Sequence, residues 1–171
     1  EHGAVELEPA EDFFKRLIVS ILRQQVSMAS ARATRERLTD TVEITPNALL
    51  QTEESTLRDV GLSRQKASYV HNIAEAFVEN GYSRSYFADM SNEEFVSELT
   101  SIKGVGAWTA KMQLMFSLAR PDVFPVEDLG IRKGMNALYS DDLTRTEMVE
   151  AAEKWSPYQS YASLYLWKIV D

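Results

Sequence analysis

Two acids stand side by side, Glu127 and Asp128, after a segment bounded by Pro121 and Pro125 and before a run with helical spacing, Leu129 to Met135. A carboxylate at a helix start meets unsatisfied N–H groups and the positive end of the helix dipole. That placement suits an N-cap, and equally a fixed negative charge for chemistry on an electron-poor centre. Upstream, Lys103-Gly104-Val105-Gly106 separates two helical segments. Glycine has no Cβ, so a phosphate can approach the backbone there, and the first N–H groups of the following helix point outward towards it. Each feature alone also has an ordinary meaning, an acid cap and a glycine corner.

The elements that must position these residues read as helix after helix. Ser91-x-x-Glu94 is a capping box, opening a helix that runs through Leu99 and stops near Lys103. Trp108, Met112, Met115, Phe116 and Ala119 recur on one stripe of a second helix, which Pro121 ends. Earlier, Phe13, Phe14, Leu17, Ile18, Ile21 and Leu22 form a broad apolar face that Gln24-Gln25 interrupts, and Ser27 caps a helix to about Leu38. Thr45-Pro46 opens a short helix, and Ser63 caps a long one halted by Asn80-Gly81. The segment Leu57-x-x-Val60-Gly61-Leu62-Ser63 faintly echoes Leu99-x-x-Ile102-Lys103-Gly104-Val105, which reads as a shared hairpin shape. Thr144-x-x-Glu147 is another capping box, and a last helix runs from about Ser160 to Val170. No segment alternates with period two, so the fold class is all-α.

Composition narrows the chemistry. The 171 residues contain no cysteine and only His2 and His71, which excludes disulfides, thiolate zinc sites, a four-cysteine iron–sulfur cluster and a histidine cage. His71 reads as a surface or packing residue. No apolar run approaches a membrane span and the opening segment is acidic and loop-like, so an intracellular protein without a membrane partner is expected. The net charge of −8 is unusual for a nucleic-acid binder. Its distribution is uneven, however. Phe13 to Thr39 holds Lys15, Arg16, Arg23, Arg32, Arg35 and Arg37 against Glu36 alone, and Leu99 to Pro121 holds Lys103, Lys111 and Arg120 with no acid. Affinity for a polyanion should therefore be modest and salt-sensitive.

The string Ile102-Lys103-Gly104-Val105-Gly106-Ala107-Trp108-Thr109-Ala110, followed by Asp122 to Lys133 (DVFPVEDLGIRK), closely resembles the helix-hairpin-helix DNA glycosylase superfamily, nearest its alkylation-repair 3-methyladenine branch. Ile21 to Ser27 (ILRQQVS) and Trp155 to Ala162 (WSPYQSYA) resemble that branch too, so the likeness spans nearly the whole chain in the expected order. The resemblance implies a two-lobed helical bundle with the hairpin, residues 91–120, beside a cleft. One lobe would comprise about 23–120, the other about 1–22 with 121–171.

It also implies roles. Asp128 matches the catalytic aspartate, which stabilises positive charge on the sugar as a purine N-glycosidic bond breaks and can orient or deprotonate a water. Relatives that also cut the strand carry lysine where this chain has Trp108, so a water nucleophile and an intact abasic product are expected. Trp108, Met112 and Trp167 would line a pocket for a base swung out of the helix, with Gln25 filling the gap it leaves. Lys103, Gly104, Gly106, Thr109 and Lys111 would grip the DNA backbone. The family hairpin holds a monovalent cation, sodium or potassium, through carbonyls that fall here at Thr100, Ile102 and Val105; no other cofactor is required. The implied partner is double-stranded DNA carrying damaged bases, the implied state a monomer, and the implied place the nucleoid and cytoplasm or the nucleus. A same-fold enzyme for uracil or another deaminated base, and a non-catalytic hairpin protein, are the alternatives.

Overall fold

Helix starts are where the polar residues of this chain commit it to structure. In the computed structural model, which describes residues 3–139 and 142–170, all regular structure among the described residues is helical. The helices are α1 Phe13–Leu22, α2 Met28–Thr41, α3 Pro46–Gln51, α4 Glu54–Asp59, α5 Arg64–Asn80, α6 Arg84–Phe87, α7 Asn92–Thr100, α8 Ala107–Phe116, α9 Leu129–Tyr139, α10 Arg145–Ala152 and α11 Gln159–Val170. Asp12, Ser27, Thr45, Ser63, Ser83, Ser91 and Thr144 each accept a backbone N–H three residues on. Ser91 and Thr144 complete reciprocal capping boxes with Glu94 and Glu147, as their spacing predicts. Replacing such a cap by alanine typically costs about 0.5–2 kcal/mol.

Two departures from the sequence reading are informative. Short α6 carries no strong apolar period and is missed by pattern alone. Helix α8 ends at Phe116, not at Pro121. Ala119 takes a left-handed φ of 54°, and Arg120 N–H returns to Leu114 O at 2.9 Å, so the chain has already reversed before the proline.

The chain forms two compact units, Asp12–Thr109 and Glu1–Glu11 with Ala110–Asp171. The lobes expected from the sequence placed residues 1–22 with the C-terminal third; α1 instead belongs with the middle helices. The reason is aromatic. Phe13 lies 5.5 Å from both Phe77 and Phe87 between ring centroids, Phe14 lies 5.0 Å from Phe77, and Phe87 lies 4.8 Å from Phe95. Tilted and edge-on rings at these separations gain attraction beyond the area they bury. His71 serves this unit as a packing residue, its Nε2 hydrogen-bonded to Thr52 O at 2.7 Å. The hairpins α4–α5 and α7–α8 turn on glycines of the same conformation, Gly61 and Gly104, both at φ 111°. The faint sequence echo therefore corresponds to a shared turn.

The other unit packs Phe124, Val126, Ile131, Met135, Met148 and Leu166 into one core. Its closest contact is α9 on α11. Gly130 and Gly134 lie four residues apart and so share a helix face. A Cβ at Gly134 would sit 2.7 Å from Leu166 O, and one at Gly130 2.7 Å from Trp167 Cδ1.

Candidate functional site

The segment between α8 and α9 delivers Asp128, and it is tied down along its length. Ser160 Oγ donates to Arg120 O at 2.6 Å and accepts Val123 N–H at 3.0 Å, while Ser160 N–H reaches Pro121 O at 2.9 Å. Asp122 accepts from Ser156 Oγ at 2.6 Å. Further on, Arg132 donates to the carbonyls of Val126 at 3.1 Å and Glu127 at 2.5 Å. Asp128 N–H closes a turn onto Pro125 O at 2.9 Å. All of these bonds but the Ser156–Asp122 pair, which joins two side chains, fix main chain.

Asp128 itself is half-buried. Its Oδ1 accepts two bonds, from Ile131 N–H at 3.0 Å and from the Trp167 indole Nε1–H at 2.8 Å. The first is the N-cap bond expected of an acid at a helix start. The second comes from α11 and depends on Gly130, since any side chain there would meet the indole. Trp167 also lies over Phe116, with centroids 5.9 Å apart and planes 30° apart. The tryptophan expected to wall a base pocket thus also orients the carboxylate.

Glu127, the other acid open to proposal, is committed elsewhere. Lys111 Nζ donates to its Oε1 at 2.9 Å, and both side chains are about one-quarter exposed. Its Oε2 is buried with no hydrogen-bond partner among the described residues. Leaving such an acceptor unmet costs about 1–3 kcal/mol, so Glu127 is held under constraint by one partner. In this arrangement the Lys111 ammonium bonds to the turn before α9. Thr109 is buried at 2% exposure, and its N–H belongs to the first turn of α8. Met112 is buried and Trp108 half-buried.

In the hairpin, Gly104 and Gly106 differ. A Cβ at Gly104 would fall 2.3 Å from the ring of Tyr69, so the positive φ and the close packing both demand glycine. At Gly106 a Cβ would meet only open space. Asn72 Nδ2 donates to Lys103 O at 3.0 Å, fixing the turn, and the Lys103 side chain is exposed. Of the carbonyls expected to hold a cation, that of Ile102 accepts Val105 N–H at 3.0 Å and keeps a second lone pair. An all-oxygen donor set of this kind suits a hard monovalent ion.

Gln25 stands on the turn between α1 and α2. It is exposed and left-handed at φ 55°, with Val26 and Met28 exposed beside it at 42% and 65%. Lys66 Nζ anchors the base of this turn by donating to Leu22 O at 3.0 Å, and burial lowers the pKa of that ammonium. Sequence reasoning missed Lys66, Ser160 and the indole bond, because each joins residues far apart in the chain, and it also missed Arg132, whose partners are five and six residues away. Arg132, four residues after Asp128, is the one that helical spacing offered.

Residues 18–158 match the HhH-GPD superfamily of base excision DNA repair proteins. The DNA-3-methyladenine glycosylase 1 of Schizosaccharomyces pombe is 33% identical over 91% of the chain and 71% of its own length. Against other relatives the chain spans 57% to 63% of their length. A crystal structure of a DNA-3-methyladenine glycosidase from Bacillus halodurans superposes with a TM-score of 0.86 at 33% identity, covering 96% of this chain and 78% of that one. The S. pombe 3-methyladenine DNA glycosylase in complex with abasic DNA gives 0.84 at 30% identity, covering 98% and 85%. A match over most of the chain, with the hairpin and the aspartate each in its expected element, establishes that the chain belongs to the HhH-GPD superfamily of base excision DNA repair proteins.

Proposed function

We propose that the chain is a monofunctional DNA glycosylase that excises alkylated purines, of the 3-methyladenine and 7-methylguanine type, from double-stranded DNA. The observation that carries this reading is the Asp128 carboxylate, oriented by two N–H donors from different helices. A negative oxygen fixed before the reaction acts on the positive charge that develops on deoxyribose as the N-glycosidic bond breaks, without reorganising at that moment. Water then takes the anomeric carbon, the purine departs, and an abasic site is left. Trp108 stands where strand-cutting relatives hold a lysine, so no amine is supplied there for a Schiff base.

The remaining parts follow the same logic. The exposed Gln25 turn suits insertion where a base has left the stack, and the aromatic faces of Trp108 and Trp167 suit an electron-poor alkylated purine. Open space at Gly106 and the N–H groups at the start of α8 suit a phosphate. A sodium or potassium ion on the carbonyls of Thr100, Ile102 and Val105 would add positive charge at that phosphate. Relatives that share this branch are named as 3-methyladenine glycosylases, and one binds abasic DNA, which supports the substrate class.

The test is release of methylated purines from methylated duplex DNA, leaving alkali-sensitive sites. Asp128→Asn should lower release by about a hundred- to a thousand-fold while duplex binding persists, the scale seen when a preorganised electrostatic group is removed. Full release by that variant would remove Asp128 from the reaction. A covalent complex trapped by borohydride would overturn the monofunctional reading. A panel of lesions that left methylated purines intact but cleared uracil would transfer the same machinery to deaminated bases.

A further inference from the structure

We infer that Arg132 is a positioning residue for excision: its guanidinium holds the two peptide groups ahead of Asp128 and so sets where the carboxylate points. The inference deepens the glycosylase reading, on which the role of Asp128 rests. An arginine at this position does not serve helix stability alone. Helix α9 starts at Leu129, so Arg132 stands about one turn from the positive end of the helix dipole, where a cation is disfavoured. The half-buried side chain offsets that penalty by leaning back towards the N-terminus, as helical side chains do. Nη1 then donates to Val126 O at 3.1 Å and to Glu127 O at 2.5 Å.

A closed ring of bonds around one residue results. Asp128 N–H bonds Pro125 O at 2.9 Å, and Asp128 O accepts Arg132 N–H at 3.1 Å. Arg132 therefore grips the main chain on both sides of Asp128, with its amide behind and its guanidinium ahead. The peptide planes leading into Asp128 rotate only by breaking charge-assisted bonds. Held this way, Asp128 presents Oδ1 to Ile131 N–H and the Trp167 indole. The neighbouring acid does not divert the guanidinium, because Glu127 pairs with Lys111 at 2.9 Å, and among the described residues Arg132 forms no ion pair. A cation bonded to carbonyls fixes the chain without a salt bridge that would offset the negative charge the reaction uses.

The experiment is single-turnover excision of 7-methylguanine from duplex DNA by the intact chain in excess, which separates maximal rate from half-saturation. Arg132→Gln should lower the maximal rate about ten- to a hundred-fold, the scale of a small misplacement, with half-saturation nearly unchanged. Lys133→Gln, the same loss of charge at the exposed next position, should keep the natural rate. In an Asp128→Asn background, Arg132→Gln should cause less than about a two-fold further loss, since residues that act as a unit are non-additive. A full additional loss in that background, or an equal fall in Lys133→Gln, would overturn the inference and leave the glycosylase reading standing. The indole N–H resonance of Trp167, assigned by its disappearance in Trp167→Phe, gives a readout that needs no turnover. It should move in Arg132→Gln towards its position in Asp128→Ala, and an unmoved resonance would overturn the inference. Arg132→Lys, which keeps one nitrogen for the two carbonyls, should recover most of the rate and the natural resonance. If it tracked Arg132→Gln in both, the carbonyl clamp would be excluded. A natural chain that released no methylated purine would sink the glycosylase reading, and the resonance would still decide whether Arg132 orients the carboxylate.

Discussion

The carboxylate at Asp128 and the turn at Gln25 are opposite solutions to the problem of presenting one side chain. Asp128 is half-buried, and the chain around it is bonded to α9 and α11 at several points. Gln25 is exposed, left-handed and flanked by apolar side chains that face solvent, and a bond from Lys66 anchors the foot of its turn. The contrast teaches what each task needs. A charge that must act on a developing cation loses effect with small misplacement, so its surroundings are over-determined. The plug proposed at Gln25 would need reach to enter a distorted duplex, and local backbone strain is tolerated there.

The sharpest break in this comparison is Trp167→Phe. It keeps an aromatic ring but deletes the donor to Asp128 Oδ1, a bond to a charged group in the range of about 1.5–3 kcal/mol. If that bond acts in the transition state, single-turnover excision should fall about ten- to a hundred-fold, with less change in affinity for an abasic duplex. Equal losses in rate and affinity would mean that the indole acts only as a pocket wall. Next in size is Lys111→Met, which strands the partly buried Glu127 and should destabilise the fold by about 1–3 kcal/mol in denaturant unfolding. Adding Glu127→Gln should recover part of that loss. A reduced salt slope for DNA binding in Lys111→Met would give the lysine the phosphate role that the sequence suggested.

Gln25→Gly sharpens the contrast from the other side. Glycine relieves about 1 kcal/mol of left-handed strain, offset by its freedom in the unfolded chain, so the melting temperature should hold or rise slightly. Excision should nonetheless drop, because the plug is gone; a variant that excised normally would take the task away from Gln25. The smallest effect concerns the aromatic core. Burial and the Glu98 carboxylate, which accepts from Tyr82 Oη at 2.6 Å, raise the Tyr82 pKa above its ordinary 10. A phenol is neutral when protonated, so this contribution is full below pH 10 and is lost as pH rises towards the raised value. Chemical unfolding followed above pH 10 should show that decline, and Tyr82→Phe should flatten it.

What was legible in the sequence was local. Caps within three residues and glycine corners depend on neighbours in the chain, and Ser91, Thr144 and Gly104 behave as their types dictate; the single stripe read on α8 does not hold, because Ala110, Gln113 and Leu114 are buried beside Met112 and Met115 while Trp108 and Phe116 are half-buried. Asp128 was readable as a helix start for the same reason. What escaped was long-range. Nothing in the sequence said that Lys111 would find Glu127, that Trp167 would turn its N–H towards Asp128, or that α1 would join the middle helices through Phe13 and Phe14. Those outcomes follow from which surfaces meet, and spacing along one helix does not specify its partner.

The pair Gly130 and Gly134 carries a last implication. Helices α9 and α11 approach so closely there that a Cβ at either glycine would fall 2.7 Å from an atom of α11, and that closeness sets the reach of the indole. A methyl group at position 134, more than one turn along α9 from the carboxylate, would act as a shim, lifting the last helix and drawing its tryptophan away. Intolerance to change should therefore extend to a site with no functional group at all, and a survey of inactivating substitutions would find it among the chemically silent ones.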